Sequence, residues 1–453
     1  MLMEISIINK YIDSKTEAAP LAAFRLFFGV LMLLSLIRFW YYGWIEKLYI
    51  DPPFHFHYYG FQWVSVPGQW TYLLFIICGI STLGIILGYK YRWSMVLFFS
   101  CFTYIELMDK TTYLNHYYFI SVLSFLLIFL PAACYFSLDA KKNKEKSNQH
   151  IPRWNIDAIK LLVAIVYIYA GLAKLNPDWL LEAMPLKIWL PSKYDIPFLG
   201  DLLQQEWIHY AFSWGGAFYD LTIVFFLMYR PTRIWAFLAV LLFHILTAVL
   251  FPIGMFPYIM IGTTLIFFDA GAHHKFLSFL SKFLGIDKGY YDNGRSYHHK
   301  NPLYGKIKLG IVSLFFMIQV LFPLRFLAYP GELFWTEQGY RFSWRVMLME
   351  KAGYANFKIQ NAITGKRFYV QNDDFLTSFQ EKQMSTQPDM ILEYAHYLGN
   401  HFTAQGHEYV QVFVDSYAAL NGRMSKSYID PNVDLMKIES SLKNKNWILP
   451  LDD

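Results

Sequence analysis

Four of the ionisable side chains lie inside or at the ends of strongly apolar runs, where a charge is costly. They are Lys174 in VYIYAGLAKLNPDW, His116 in MDKTTYLNHYYF, His244 in AVLLFHILTAVLF and Asp220 in GGAFYDLTIVFF. A lysine that loses its hydration can give up its proton and act as a base near neutrality, and an imidazole can bind or transfer protons. These residue types therefore predict proton-transfer chemistry in an apolar cavity.

Lys174 and His116 each have an ordinary explanation as well. Lys174 ends an apolar run just before the helix-stopping Pro177, and its ammonium could extend to the lipid headgroups. His116 opens another run in an aromatic-rich stretch, which is typical of an interfacial belt. The alternative for His116 is that it forms, with the adjacent Asn115, a hydrogen-bonding pair that faces a polar ligand. The residues alone leave these alternatives open.

His244 and Asp220 lie deeper in their runs. His244 is seven residues before Phe251, about 10 Å of helix rise, so an interfacial position is implausible. A bond to a backbone carbonyl or to Thr247 would explain a buried neutral histidine, and an ion pair that fixes helix packing would explain Asp220. In the topology predicted below, all four ionisable side chains lie between the midplane and one membrane face. That arrangement favours a single cavity that opens outward.

The composition is that of an integral membrane protein. Of 453 residues, 55% are apolar, 20% aromatic and 16% charged, whereas soluble domains carry about 25% charged residues. Nine runs are apolar enough, or nearly so, to span a bilayer. They cover approximately residues 20–40, 70–88, 93–108, 115–133, 156–173, 210–228, 234–251, 254–269 and 307–327.

The charges of the loops predict the orientation of these runs, because Lys and Arg concentrate in cytoplasmic loops. If all nine runs span, every basic segment falls on one side. We therefore expect a multi-pass protein of the cell membrane, with a cytoplasmic N-terminus and the C-terminal part outside. The net charge of +5 is explained by these loops, and no nucleic-acid partner is predicted. The basic segments are Lys10–Lys15, Lys90–Arg92, Lys141–Arg153, Arg230–Arg233 and Lys275–Lys306.

The last part of the chain has the composition of a soluble domain. Phe357–Gln360 and Arg367–Gln371 alternate across a Thr364-Gly365 turn like a β-hairpin. Residues 408–414 predict another strand, and Asp389–Leu398 has a helical pattern. These signals together are typical of a small α+β domain.

The predicted fold is an α-helical polytopic membrane bundle of eight to nine transmembrane helices, residues 1–328, followed by a small α+β extracytoplasmic domain, residues 329–453. No P-loop, G-x-G-x-x-G, G-x-S-x-G or H-E-x-x-H motif is present, so nucleotide hydrolysis and the common hydrolase mechanisms lack support. His55 and His57 have the spacing of metal ligands but no third ligand nearby, and no metal is predicted.

Six strings of residues are distinctive: DKTTYLNHYYF (109–119), IPRWNIDAIKLLVAIVYIYAGLAKLNPDW (151–179), WGGAFYDLTIVFFLMYRP (214–231), FHILTAVLFPIGMFPYIM (243–260), FSWRVML (342–348) and YIDPNVDL (428–435). Together they resemble the vitamin K-dependent gamma-glutamyl carboxylases and their bacterial relatives, which share a horizontally transferred transmembrane domain. The resemblance runs from about residue 18 to the end of the chain, and the 151–179 string is the most specific.

The resemblance implies roles for individual residues. Lys174 matches the lysine that deprotonates reduced vitamin K in that family. His116, preceded by Asn115, and His244 match histidines that are implied to orient the quinol and to stabilise charged intermediates. We expect Asn115 and Asp220 to contact the substrate.

The reaction implied by the resemblance couples an oxidation to a carboxylation. Reduced vitamin K, a quinol of the menaquinol or phylloquinol type from the membrane quinone pool, is oxygenated to its epoxide, and a glutamate of a peptide or protein is carboxylated. O2 and CO2 are co-substrates, membrane lipid surrounds the protein, and the enzyme is a carbon–carbon lyase of epoxidase type. The cavity must be dry, because water would quench the strong base that the reaction produces.

Two departures from the animal carboxylases are visible. Those enzymes have a histidine in the segment that matches YANFKI, where this chain has Asn356, and their external disulfide has no counterpart among Cys78, Cys101 and Cys134. Two alternatives to the carboxylase therefore stay open. One is a quinol epoxidase or oxygenase without glutamate carboxylation, and the other is a non-catalytic, quinone-binding membrane scaffold.

Overall fold

The computed structural model describes residues 9–298 and 301–451. Each apolar run forms a helix, because backbone groups in lipid must be hydrogen-bonded within their own segment. The helices of this bundle are α1 Ala19–Tyr41, α2 Thr71–Leu87, α3 Tyr91–Met108, α4 Asn115–Phe129, α5 Trp154–Ala173, α6 Glu206–Met228, α7 Arg233–Leu250, α8 Phe256–Thr264, α9 Ala270–Phe283 and α10 Pro302–Leu321.

Six helices in the described part of the chain are long and apolar enough to cross a membrane: α1, α2, α5, α6, α7 and α10. The prediction of a polytopic helical membrane domain is thereby confirmed. The fifteen residues of α4 rise only about 22 Å, less than the ~30 Å of a hydrocarbon core, and α8 is shorter still. The helix α3 is also not among these six. The helices α3, α4 and α8 therefore remain predicted spans.

Two short strands lie just before α1 and α5 and bring the N-termini of these helices together. Lys15–Glu17 and His150–Pro152 pair antiparallel, with Thr16 opposite Ile151. The other ends of the two helices also converge: Gly254 lies beside Arg38 near the end of α1, and the neighbouring Ile253 lines a cavity together with Lys174 at the end of α5. Arg38 and Lys174 therefore face the same end of the bundle.

The helices α5 and α6 approach each other closely at Gly171. A Cβ atom on this residue would lie 2.7 Å from Cγ of Leu221 and 2.9 Å from its backbone nitrogen, so only glycine fits without a shift of the helices. This contact is one turn from Lys174 on α5 and directly beside Asp220 on α6. The close packing therefore brings the lysine and the carboxylate together.

The C-terminal part is a four-stranded sheet with helices packed on it. The elements are β1 Lys351–Asn361, β2 Arg367–Tyr369, α11 Ser378–Met384, α12 Pro388–Ala404, β3 Val410–Leu420 and β4 Lys426–Ser427. The strand order is β2-β1-β3-β4, and β1 pairs antiparallel with β2 and β3. The predicted hairpin, the later strand and the helix between them are all confirmed.

The segment that leads into β1 packs inside the bundle rather than on the sheet. Trp344 is 1% exposed, and its ring lies 4.8 Å from that of Tyr118 and 6.2 Å from that of Phe119 on α4. Trp344 and Met347 have left-handed backbone angles, with φ of 60° and 52°. Such conformations cost about 1–3 kcal/mol each, so the contacts with the bundle must hold this segment in place.

Candidate active site

Lys174 lies at the C-terminal end of α5 and points into the bundle. It is 6% exposed, and its Nζ lies 2.6 Å from Oδ2 of Asp220 and 3.3 Å from the carbonyl oxygen of Ala170. The ring of Trp179 lies 5.4 Å from the same nitrogen. The side chain is thus held inside the protein by an ion pair, and it does not extend to the headgroups.

His244 lies on α7 and is bonded to a tyrosine of α5. The hydroxyl of Tyr167 is 2.9 Å from Nε2 of His244, and His244 is 1% exposed. The neighbouring Thr247 donates to the backbone carbonyl of His244 and not to its ring. Nδ1 of His244 is buried and has no hydrogen-bond partner in the described part of the chain.

Lys174, Asp220, His244 and Tyr167 line one cavity. Its volume is about 100 Å³, whereas about 10–15 Å³ holds one water molecule, so the cavity has room for a group much larger than water. Apart from these four polar residues, its walls are mostly hydrophobic. The aromatic residues of the wall are Trp179, Trp189, Phe212, Phe243, Phe251 and Phe256.

His116 lies behind the wall of this cavity. Its ring centre is 5.9 Å from that of Phe256, and the ring of Phe256 is 6.0 Å from that of His244. A single phenyl ring therefore separates the two histidines. His116 is 6% exposed, and it reaches the cavity only if Phe256 moves.

Asn115 does not line the cavity. Its amide nitrogen donates to the carbonyl of Arg345 at 2.7 Å, and its oxygen accepts from the hydroxyl of Tyr113 at 3.0 Å. The two residues after Arg345 are Val346 and Met347, which do line the cavity. Asn115 thus fixes the segment that forms this wall, and its direct contact with a substrate remains a prediction.

The segment after α5 ties the cavity to the C-terminal sheet. Asp178 accepts hydrogen bonds from both terminal nitrogens of Arg423, at 2.7 and 2.8 Å, and from Asn421 at 2.6 Å. The bonds from Arg423 hold the pKa of the Asp178 carboxyl below its ordinary value, against the effect of burial. A second tie joins the indole nitrogen of Trp189 to a carboxylate oxygen of Glu350, 2.6 Å away.

Two family models match the chain. The HTTM domain matches residues 14–271, and the vitamin K-dependent gamma-carboxylase, lumenal domain, matches residues 304–453. The chain belongs to the vitamin K-dependent gamma-carboxylase family. These domains indicate a carboxylase-type enzyme in the membrane, as the resemblance implied. No solved structure matches the chain.

Both carboxylase-family matches contribute to the cavity. Lys174, Asp220 and His244 lie within the HTTM match, whereas Val346 and Met347 lie within the lumenal-domain match. The lumenal-domain match begins at residue 304, inside α10. The candidate site of this carboxylase-family chain is therefore assembled at the junction of the two matched regions.

Two further residues near the cavity are not among the sequence predictions. Tyr167 is an ordinary aromatic residue of an apolar run, and only the fold shows that it meets His244. Arg38 ends α1 beside His116, and its guanidinium stacks 4.7 Å from the ring centre of Trp44. An arginine at the predicted outer end of a span runs against the usual charge bias, and that signal could have identified Arg38.

Proposed function

We propose that this carboxylase-family protein is a vitamin K-dependent gamma-glutamyl carboxylase, which couples quinol oxygenation to the carboxylation of protein-bound glutamate. The observation that carries the proposal is the position of Lys174, a buried amine with one carboxylate partner in a largely aromatic cavity. A buried amine of this kind can remove a phenolic proton in a dry site. Membership of the carboxylase family suggests the class of substrate, a quinol and a glutamyl peptide.

The cavity fits an aromatic quinol on chemical grounds. Ligand pockets for such groups are mostly apolar, with a few polar atoms that set the orientation. Here, six aromatic residues provide the apolar walls, and Lys174, Asp220, His244 and Tyr167 provide the polar atoms. The buried Nδ1 of His244, which has no partner in the described part of the chain, is suited to a hydrogen bond with a quinol oxygen.

Each polar residue has a distinct task in the proposal. Lys174, in its neutral form, removes a proton from the quinol hydroxyl and then stays beside the oxygen as an ammonium. His244, held by Tyr167, orients the other end of the quinol ring, and His116 stabilises negative charge once Phe256 moves aside. The bound quinol, oxygenated by O2, supplies the strong base that removes a glutamate gamma-proton before CO2 adds.

The C-terminal domain has the task of presenting the glutamyl substrate. Val346 and Met347 close the cavity on the side of this domain, which keeps water away from the reacting groups. Asp178 and Arg423 hold the domain against the segment that follows Lys174. In the predicted topology this face is outside the cell, where a secreted or membrane-bound peptide would meet the enzyme.

The experiment that tests the function gives purified protein reduced vitamin K, oxygen, a glutamate-containing peptide and labelled bicarbonate. The proposal predicts epoxide and label in the peptide. Epoxide without label would contradict the carboxylase and support a quinol epoxidase instead. Neither product would contradict both enzymes and leave a quinone-binding scaffold.

The residue that departs from the animal enzymes does not line the cavity. Asn356 lies within β1, opposite Asp415 of β3, and is not a cavity residue. A loss of carboxylation through this position would therefore act on the glutamyl peptide rather than on the quinol. Because Asn356 lies away from the cavity, both a carboxylase and a quinol epoxidase would form epoxide. Label in the peptide is the measurement that distinguishes the carboxylase from the epoxidase.

A further inference from the structure

The ion pair between Lys174 and Asp220 creates a chemical difficulty for a lysine base. A carboxylate 2.6 Å from the amine stabilises the ammonium form, and an ammonium cannot accept a proton. Lys174 must therefore lose a proton before it can remove one from the quinol. The group that receives this proton has to lie within reach.

Asp220 is the group near Lys174 that can receive a proton. The carbonyl oxygen of Ala170 accepts a hydrogen bond from Nζ but cannot be protonated at physiological pH, and the Trp179 ring has no basic atom. His244 is bonded to Tyr167 and, among the described residues, makes no hydrogen bond to Lys174. Asp220 is 5% exposed, and its hydrogen bond in the described part of the chain is the one from Lys174.

We propose that Asp220 stores the proton of Lys174 while the lysine acts as a base. When the quinol enters, the N–H bond that points to Asp220 breaks and an O–H bond forms on the carboxylate, which leaves a neutral amine beside a neutral acid. Lys174 then forms a new N–H bond as the O–H bond of the quinol breaks. The inference rests on the proposed function, because it concerns the base of that reaction.

The energetics of an apolar cavity favour this exchange. The ion pair and the neutral pair have the same net charge, but the ion pair loses more hydration energy when the quinol displaces water from the cavity. Over 2.6 Å the proton moves without any movement of the side chains. After the quinol is deprotonated, Lys174 is positive, the quinolate is negative and Asp220 is neutral, so the net charge of the cavity is still zero.

A binding measurement tests the proposal without turnover. Infrared difference spectra are recorded as reduced vitamin K is added to the protein in the absence of oxygen. The proposal predicts a new carboxylic acid band that shifts when aspartate is isotopically labelled and is absent in Asp220→Asn. The Glu337→Gln variant is the matched control, since Glu337 forms a comparably buried pair with Lys351 at 3.1 Å, and it must keep the band. No acid band in the parent protein, or a band that persists in Asp220→Asn, overturns the proposal.

A kinetic measurement separates proton storage from a purely structural carboxylate. In the parent protein the proton stays within the pair, so the rate of epoxide formation at saturating quinol is flat around pH 7. In Asp220→Asn any proton on Lys174 must leave to water, so we expect a rate that rises with pH through neutrality, and Asp220→Glu should restore the flat profile. Parallel pH profiles for the parent and Asp220→Asn overturn the proposal.

The test of Lys174 itself keeps the two hypotheses apart. If Lys174→Ala still forms epoxide, the proposed function fails and the role of Asp220 fails with it. If Lys174→Ala is inactive while Asp220→Asn keeps the rate and pH profile of the parent, the base stands and the proton store alone is wrong. Thermal unfolding of each variant shows whether the loss reflects folding.

Discussion

The hydroxyl of Tyr167 lies 2.9 Å from Nε2 of His244, between two helices that meet at the cavity. This bond fixes the orientation of the imidazole ring, and it determines which ring nitrogen is available to a ligand. The other nitrogen, Nδ1, has no partner among the described residues. A tyrosine of the cavity wall thereby controls which nitrogen the histidine presents to a ligand.

Substitution of Tyr167 by phenylalanine should lower epoxide formation and leave the fold intact. The loss of one hydrogen bond is worth about 0.5–1.5 kcal/mol, which corresponds to a decrease in kcat of roughly two- to thirteenfold. Tyr169→Phe is the control, because Tyr169 lies on the same helix and donates to the carbonyl of Val320 instead. Equal rates for the two variants would contradict a role for the Tyr167 bond.

Gly171→Ala should separate α5 from α6 and weaken the pair between Lys174 and Asp220. The added methyl group would meet the side chain and the backbone of Leu221, and overpacking costs about 1–3 kcal/mol. We expect a lower midpoint of thermal unfolding together with a loss of epoxide formation. Gly215→Ala on α6 is the control, since nothing lies within 4 Å of its added Cβ; it should keep both properties.

Gly254→Ala tests the contact between Arg38 and the loop before α8. The φ of Gly254 is +62°, and a Cβ there would lie 3.2 Å from a guanidinium nitrogen of Arg38 and 3.9 Å from Nε2 of His116. We expect a cost of about 1–2 kcal/mol from the backbone and a lower rate of epoxide formation, because the guanidinium of Arg38 is displaced. Gly43→Ala has the same backbone strain with nothing within 4 Å, so it should lose stability only. Unchanged activity in Gly254→Ala would contradict a role for the position of Arg38.

The hold of Asp178 on Arg423 should depend on pH in the acidic range. The pKa of Asp178 is lowered by the hydrogen bonds from Arg423, so the contact stabilises the protein above the ordinary carboxyl pKa of about 3.9 and is lost as the pH falls through the lower folded value. Hydrogen exchange of residues 177–190 should be protected near neutrality and lose protection below about pH 4. In Asp178→Asn that protection should be weak at every pH, whereas Glu206→Gln, which removes an exposed pair with Lys187, should behave like the parent.

The bundle and three of its polar residues could be predicted because their signals are local. Lys174, Asp220 and His244 are each conspicuous in a run of apolar residues, and the cost of a charge in such a run is independent of the rest of the fold. The hairpin of the C-terminal domain is likewise predicted from residues that are close together in the sequence. Such local patterns can be recognised without knowing where distant parts of the chain lie.

The remaining features depend on contacts between distant parts of the chain. Tyr167 and His244 are separated by 77 residues, and nothing in either run indicates that they meet. Asn115 looks like a ligand group at the start of α4, but its side chain is committed to the carbonyl of Arg345, 230 residues away. Trp344 belongs to a segment of soluble composition, yet it packs inside the bundle against Tyr118 and Phe119 of α4.

Lys174 is the residue that we propose as the base that deprotonates the quinol. The most direct test measures epoxide formed from reduced vitamin K and oxygen by Lys174→Ala. The matched control is Lys308→Ala, because Lys308 is 2% exposed and is not a cavity residue. We predict no epoxide from Lys174→Ala, although this variant remains folded, and substantial epoxide from folded Lys308→Ala. Epoxide formation at the parental rate by Lys174→Ala would contradict the account.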